Sequence, residues 1–129
     1  INLTSSAHVA PNGSLTDFAH YATRLRNESG RTTIVTCGER GCFVAEEGSE
    51  DPAIQVPAYV LSEVVDSTGA GDTFRAGILY GQLQGWDILT TARFASAVAA
   101  LNCTALGGWG GVRSLEEIAA FQKDTPTRN

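Results

Sequence analysis

The chain has 129 residues and a mass of 13.6 kDa, the length of one domain or of a piece of a larger one. Hydrophobic residues make up 43% and charged residues 18%, so a packed core is possible and wholesale disorder is excluded. At this size about two-thirds of the unfolded surface can be buried. Nine basic and fourteen acidic residues give a formal charge of −5, and no basic run exceeds a residue or two, which argues against a nucleic-acid partner.

A membrane span is excluded too. The longest uncharged stretch, Phe94 to Val112, carries Ser96, Asn102 and the glycines Gly107, Gly108, Gly110 and Gly111, and reads as a buried helix followed by a loop. The opening INLTSSAHVAPNG has neither a basic region nor an apolar run, so it resembles the inside of a longer chain more than a signal peptide. Cys37, Cys42 and Cys103 lack metal-ligand spacing and read as reduced thiols of a cytoplasmic protein. The Asn-x-Ser/Thr triplets at Asn2, Asn12, Asn27 and Asn102 carry no meaning in that compartment.

In chain order, Pro11-Asn12-Gly13 is a turn, and Ser14 with Asp17 forms a capping box that opens a helix of about four turns. Leu15, Phe18, Ala19, Ala22 and Leu25 share one face of it, and Gly30 occupies the left-handed C-terminal position. Thr32 to Thr36 is a buried strand, because β-branched side chains favour the pleated backbone. Gly38 and Gly41 turn the chain into a second strand, Cys42 to Ala45. The acidic EEGSED segment is then a solvated hairpin loop leading to a returning strand at Ile54 to Val56. Val64 to Asp66 reads as a short strand. A helix follows to about Gln84 with Phe74, Ile78 and Leu79 turned inward, and Gly85 ends it. An alanine-rich helix runs from about Asp87 to Asn102, with so little polar surface that burial on several sides is expected. After the Gly107 to Gly111 loop, Ser114 and Glu117 cap a last helix that fades by Lys123. This order of a helix, three or four strands and three helices predicts an α/β fold with a helix-covered sheet.

Asp66-Ser-Thr-Gly-Ala-Gly-Asp-Thr-Phe74 is the segment that carries chemistry. A small-residue turn between strand and helix leaves the first amides of the helix unsatisfied, and with the helix dipole they suit a phosphate. Gly69 and Gly71 permit close approach of a ligand. Asp72 would repel that anion unless the site also needs a base or a metal, as phosphoryl transfer does. The alternative is that Asp72 merely caps its helix through the amide of Phe74 or Arg75. The segment is neither a Walker loop, lacking Gly-Lys-Ser/Thr, nor a dinucleotide fingerprint. Thr36-Cys-Gly-Glu-Arg-Gly41 closes another strand. It reads either as a hairpin turn or, with the first segment, as part of a ligand edge at the carboxyl side of the sheet.

Val65 to Phe74 resembles the second signature of the ribokinase-like (PfkB) carbohydrate kinases, and TCGERG upstream and Arg93-Phe-Ala-Ser-Ala-Val-Ala-Ala-Leu101 downstream follow in that family's order. The resemblance runs from roughly residue 12 to residue 122. It implies the C-terminal, nucleotide-binding half of a three-layer α/β/α fold, with 1–129 as a single truncated region. It further implies an ATP- and Mg²⁺-dependent phosphotransferase acting on a hydroxyl of a sugar or related small alcohol. Asp72 would be the base, and the amides of Gly69, Ala70, Gly71 and Asp72 the anion hole. Thr36, Gly38, Glu39, Gly41, Gly71 and Ser96 would lie against ATP. Many relatives hold a monovalent cation such as K⁺, for which Asp66, Thr68, Asn102, Ala105, Gly107 and Gly111 would supply oxygens. Asp66 reads equally as a turn former at a strand end. A homodimer of the full-length form is implied through the family's lid.

The sequence departs from the family where an Asn-x-x-Glu motif is common: Asn2 is followed by Ser5, so no Mg²⁺ ligand is identified. Arg75 reads as a surface residue or a phosphate contact, Trp109 as a cover for the base or a packing residue, and Arg113 replaces a frequent proline. His8 and His20 have no partner pattern. Two functional expectations follow: an active sugar kinase, or a non-catalytic nucleotide-binding fragment inactive without an N-terminal half.

Overall fold

The computed structural model describes residues 1–9, 12–61, 70–104 and 114–127. The chain divides into two compact units, Ile1–Pro57 and Ala58–Asn129. The expected strand at Val64 to Asp66 and the Gly107 to Gly111 loop lie outside the described residues.

The first unit is built on a four-stranded sheet in the order β1 (Asn2–Ser5), β2 (Thr33–Thr36), β3 (Cys42–Ala45), β4 (Ile54–Val56). β1 pairs parallel to β2, with Leu3 opposite Ile34, and the remaining pairs are antiparallel, with Ile34 opposite Val44 and Val44 opposite Ile54. A short helix, α1 (Ser6–Val9), leaves β1, and α2 (Leu15–Ser29) crosses back to β2. β1 and α1 are additions to the elements the sequence predicts. Asn2 ties the new strand down, its Nδ2 donating to Ser29 Oγ at 2.8 Å and to Thr33 Oγ1 at 3.1 Å.

α2 starts as expected. Ser14 Oγ accepts from the Asp17 amide (3.2 Å) and Asp17 Oδ2 from the Ser14 amide (2.9 Å), while Gly30 closes the helix at φ 71°. Phe18 and Ala22 are buried against Val35, Cys37, Phe43 and Ala45. The predicted apolar face is corrected at its start, where Leu15 is 40% exposed; beyond its other end Arg26 is also buried. Arg26 replaces a hydrocarbon there because its Nη1 donates to the Asp51 carbonyl at 2.7 Å, so the guanidinium ties α2 to the loop before β4.

The second unit contains α3 (Ala70–Gln84), α4 (Ile88–Asn102) and α5 (Leu115–Asp124). Gly85, at φ 75°, ends α3, and Asp87 caps α4. α4 exposes only Thr90 and Arg93, in keeping with its thin polar surface. Phe94, Ala97 and Ile118 form a core flanked by Tyr59, Tyr80 and Phe121. Leu79 does not turn inward as expected: it is 57% exposed, and the buried face of α3 is Phe74, Gly77, Ile78 and Gly81. Two glycines at helical spacing let the neighbouring helix approach, and that contact rather than side-chain hydrophobicity sets the rotation of α3.

Backbone and side-chain hydrogen bonds from Ser14 lower the Asp17 pKa, and those from Thr90 lower that of Asp87. A lowered folded pKa stabilises above the ordinary aspartate value and is lost as pH falls through the lowered one. Asp87→Ala should therefore flatten the loss of stability as pH falls below about 5 and through the lowered pKa, read by chemical denaturation. Ser14→Ala should cost about 1 kcal/mol at neutral pH with an unchanged denaturant slope.

Candidate functional site

Three long helices spend the polar side chains at their starts on their own amides. Ser14 and Asp17 do so on α2. On α4, Asp87 Oδ1 accepts from the Thr90 amide at 2.7 Å and Oδ2 from the Thr90 hydroxyl at 3.0 Å. On α5, Ser114 Oγ accepts from the Glu117 amide at 3.2 Å.

α3 differs. Asp72 lies in its first turn with an exposed side chain, and among the described residues its carboxylate has no hydrogen-bond or ion-pair partner. The capping alternative, a bond to the Phe74 or Arg75 amide, is not made. Thr73 is turned onto the helix instead, its hydroxyl donating to the Ala70 carbonyl at 3.0 Å. Ala70, Gly71 and Asp72 supply the described amides of a helix start, whose N–H groups have no intrahelical acceptor. Gly71 is exposed, and a methyl built on it meets nothing within 4 Å, so the approach to this turn is open. Arg75 is exposed on the same helix.

α3 and α4 are antiparallel, with Gly77 against Ala95 and Gly81 against Thr91. That pairing puts the first turn of α3 and the last turn of α4 at one end of the helix pair. Asp72 and Asn102 therefore share an end, and Ser96 follows the residue that meets Gly77. Asn102 is fully buried and Ser96 half-buried. Nothing in the motif pattern points to Gly77 and Gly81. The signal that could have found them is their cost, about 1 kcal/mol each relative to alanine inside a helix.

Thr36 to Gly41 belong to the first unit. Thr36 ends β2 half-buried, its hydroxyl donating to the Thr4 carbonyl at 3.3 Å. A single 3₁₀ turn, Gly38–Arg40, follows. The Cys37 amide donates to the Gly41 carbonyl (2.7 Å), and the Gly41 amide to the Gly38 carbonyl (3.1 Å). The turn is thus closed by its own backbone, with Gly38 and Glu39 exposed. Burial pushes the Cys37 thiol pKa up, against lowering contributions from a Ser6 hydrogen bond and the Arg40 charge, so it stays protonated at neutral pH.

Asp66, Thr68, Gly69, Ala105, Gly107 and Gly111, and with them Trp109 and Arg113, lie outside the described residues. Among the described residues no group of three or more His, Cys, Asp or Glu side chains is placed to hold a metal ion. Among them, too, no helix is long and apolar enough to cross a membrane.

These elements define a ribokinase-like α/β fold. The chain superposes on Arabidopsis thaliana ribokinase, solved with ribose and ATP, with a TM-score of 0.79 at 22% identity, covering 95% of this chain and 41% of that one. Residues 3–112 match the model of the pfkB family carbohydrate kinases, and the chain belongs to that family. It is 40% identical over 75 residues to a nucleoside kinase of Methanothermobacter thermautotrophicus, covering 58% of this chain and 23% of the relative. It is 33% identical over 85 residues to the ribokinase of Bacillus subtilis, covering 66% and 28%. The chain spans less than a third of the length of these curated relatives.

The turn between β2 and β3 holds Gly41 at φ 87° and ψ −136°, a region open to glycine alone. Gly41→Ala should cost about 1–3 kcal/mol, seen as a lower denaturation midpoint.

Proposed function

We propose that this chain supplies the phosphoryl-donor side of an ATP-dependent kinase, with Asp72 as the base that activates a hydroxyl of a sugar or related small alcohol. The observation that carries this reading is the exposed, unspent carboxylate of Asp72 at the start of α3. A carboxylate there weakens phosphate binding, and among the described residues it caps nothing in return. Membership of a family of carbohydrate kinases gives it a task.

Asp72 accepts the proton of the attacking O–H as that oxygen forms its bond to the terminal phosphorus and the bond to the leaving ADP oxygen breaks. The amides of Gly69, Ala70, Gly71 and Asp72 stabilise the charge on the transferred group, aided by the positive end of the helix dipole. Gly71 serves because a side chain there would obstruct the approach to those amides. Thr36, Gly38, Glu39 and Gly41 line the ribose and phosphates, and Ser96 the base. Asp66, Thr68, Asn102, Ala105, Gly107 and Gly111 are assigned to a monovalent cation beside the anion hole, which when bound adds positive charge there. Mg²⁺ accompanies the nucleotide, and no residue of this chain is assigned to it. The protein acts in the cytoplasm, as a homodimer in its full-length form.

Asp72→Asn in the complete gene product should lower kcat by about 10² or more while ATP affinity stays within a few-fold, measured as ADP release with a panel of sugars and nucleosides. Retention of more than about a tenth of the wild-type rate would remove the base role. The short span relative to the curated relatives favours a second reading for the 129-residue chain itself, a nucleotide-binding piece without turnover. A rise in melting temperature with millimolar ATP–Mg²⁺ but no ADP release would support it, and the absence of any shift would show that the chain alone does not assemble the site.

A further inference from the structure

The contact between α3 and α4 is closer than any side chain on α3 permits. A methyl built on Gly77 would stand 2.6 Å from Ala95 Cα and 2.9 Å from its Cβ. On Gly81 it would stand 2.5 Å from both Cγ2 and Oγ1 of Thr91 and 2.8 Å from Cβ. Carbon atoms pack at about 3.5–4.0 Å, so an alanine at either position forces the helices apart. The two sites differ in kind: Gly77 abuts backbone, whereas Gly81 abuts a side chain that can be trimmed.

A second observation marks the seam as more than a stripe of small residues. Thr91 is 1% exposed, and among the described residues its Oγ1 has no hydrogen-bond partner. The hydroxyl is pressed toward Gly81 and forgoes the bond that a helical threonine can make to the carbonyl four residues back. A buried polar atom and two helical glycines are thus retained where an alanine pair would give a more stable helix.

We propose that Gly77 and Gly81 are positioning residues for phosphoryl transfer, holding the first turn of α3, and Asp72 with it, in fixed register against α4. The inference rests on the reading of Asp72 as the base. Gly77 lies five residues beyond Asp72, about 7.5 Å along a stiff helix, so a shift at the seam is carried to the carboxylate. A misplacement of about 1 Å at a reacting centre is enough to lower a rate by about 10². Ser96 and Asn102 ride on α4, so the seam also sets the base against the residues assigned to the nucleotide and the cation.

The test compares Gly77→Ala, Gly81→Ala, Gly81→Ala/Thr91→Gly and Gly77→Ala/Ala95→Gly in the complete gene product, below the melting temperature of each. The assay reads kcat and KM for ATP–Mg²⁺, with acceptors drawn from ribose, fructose and inosine, normalised to folded protein. Both single variants should lose at least about tenfold in kcat, with KM for ATP within about threefold. Moving the bulk across the seam in Gly81→Ala/Thr91→Gly should restore kcat to within about threefold of wild type. Gly77→Ala/Ala95→Gly should stay slow, because the obstructing atom is Ala95 Cα. A purely structural role would lower melting temperatures and leave kcat per folded molecule within about twofold of wild type, which overturns the proposal. If Gly77→Ala does not fold, Gly81→Ala and its rescue decide alone. Asp72→Asn, assayed alongside, separates the two ideas: an active Asp72→Asn removes the base, whereas an inactive one beside full-speed glycine variants removes only the positioning role.

Discussion

A helix begins with amides that have no acceptor of their own, and whatever satisfies them decides what that helix can do. In α2, α4 and α5 the acceptor is a side chain a few residues away, and the helix start is chemically closed. Ser14 with Asp17, Asp87 and Ser114 fill this role within about one turn. At α3 the carboxylate available for the purpose, Asp72, points to solvent. The amides of Ala70, Gly71 and Asp72 have no intrahelical acceptor, and the exposed carboxylate is open to a proton. Both conditions suit transfer of a phosphoryl group to a hydroxyl, and neither serves the stability of the helix.

The close seam with α4 follows the same logic. Glycine inside a helix costs stability through chain entropy, and a buried hydroxyl without a partner costs more. α3 carries Gly77 and Gly81, and α4 answers with Thr91. What results is a helix pair whose separation is fixed by backbone and short side chains, with few rotamers to vary. An interface built on long side chains would give by repacking, whereas one in which backbone meets backbone has little room to do so.

Much of the fold is legible in the sequence, because much of it is decided locally. The capping box at Ser14, the N-cap at Ser114, the left-handed Gly30 and the β-branched run before Thr36 are short-range signals, and they give their elements within a residue or two. β1 is missed for the opposite reason. Asn-Leu-Thr-Ser has no alternation or apolar run to announce a strand, and its state comes from pairing with β2 some thirty residues away. The burial of Arg26, on which the sequence is silent, and the exposure of Leu79, expected inside, have a related cause. Amphipathic reasoning sends leucine inward and arginine outward. The Asp51 carbonyl makes a buried guanidinium acceptable, and the need of α3 to present glycines to α4 turns Leu79 out.

The candidate site is legible in part, and the division follows the chemistry. Asp72 stands out because a carboxylate in a glycine-rich helix start, proposed to hold phosphate, is electrostatically wrong unless it has work to do, and such a conflict shows in one dimension. The glycines of the β2–β3 turn are harder to read, since a strand reversal asks for the same residues that a phosphate does. The turn closed by its own backbone bonds meets the first demand in full and leaves Gly38 and Glu39 facing outward for the second. Gly77 and Gly81 carry no chemical groups at all, so no motif search for reactive residues reports them. Their meaning emerges only when the neighbouring helix is present to touch them. Residues that perform chemistry are conspicuous in a sequence because their side chains conflict with folding, whereas residues that position that chemistry are hidden because what they contribute is the absence of a side chain.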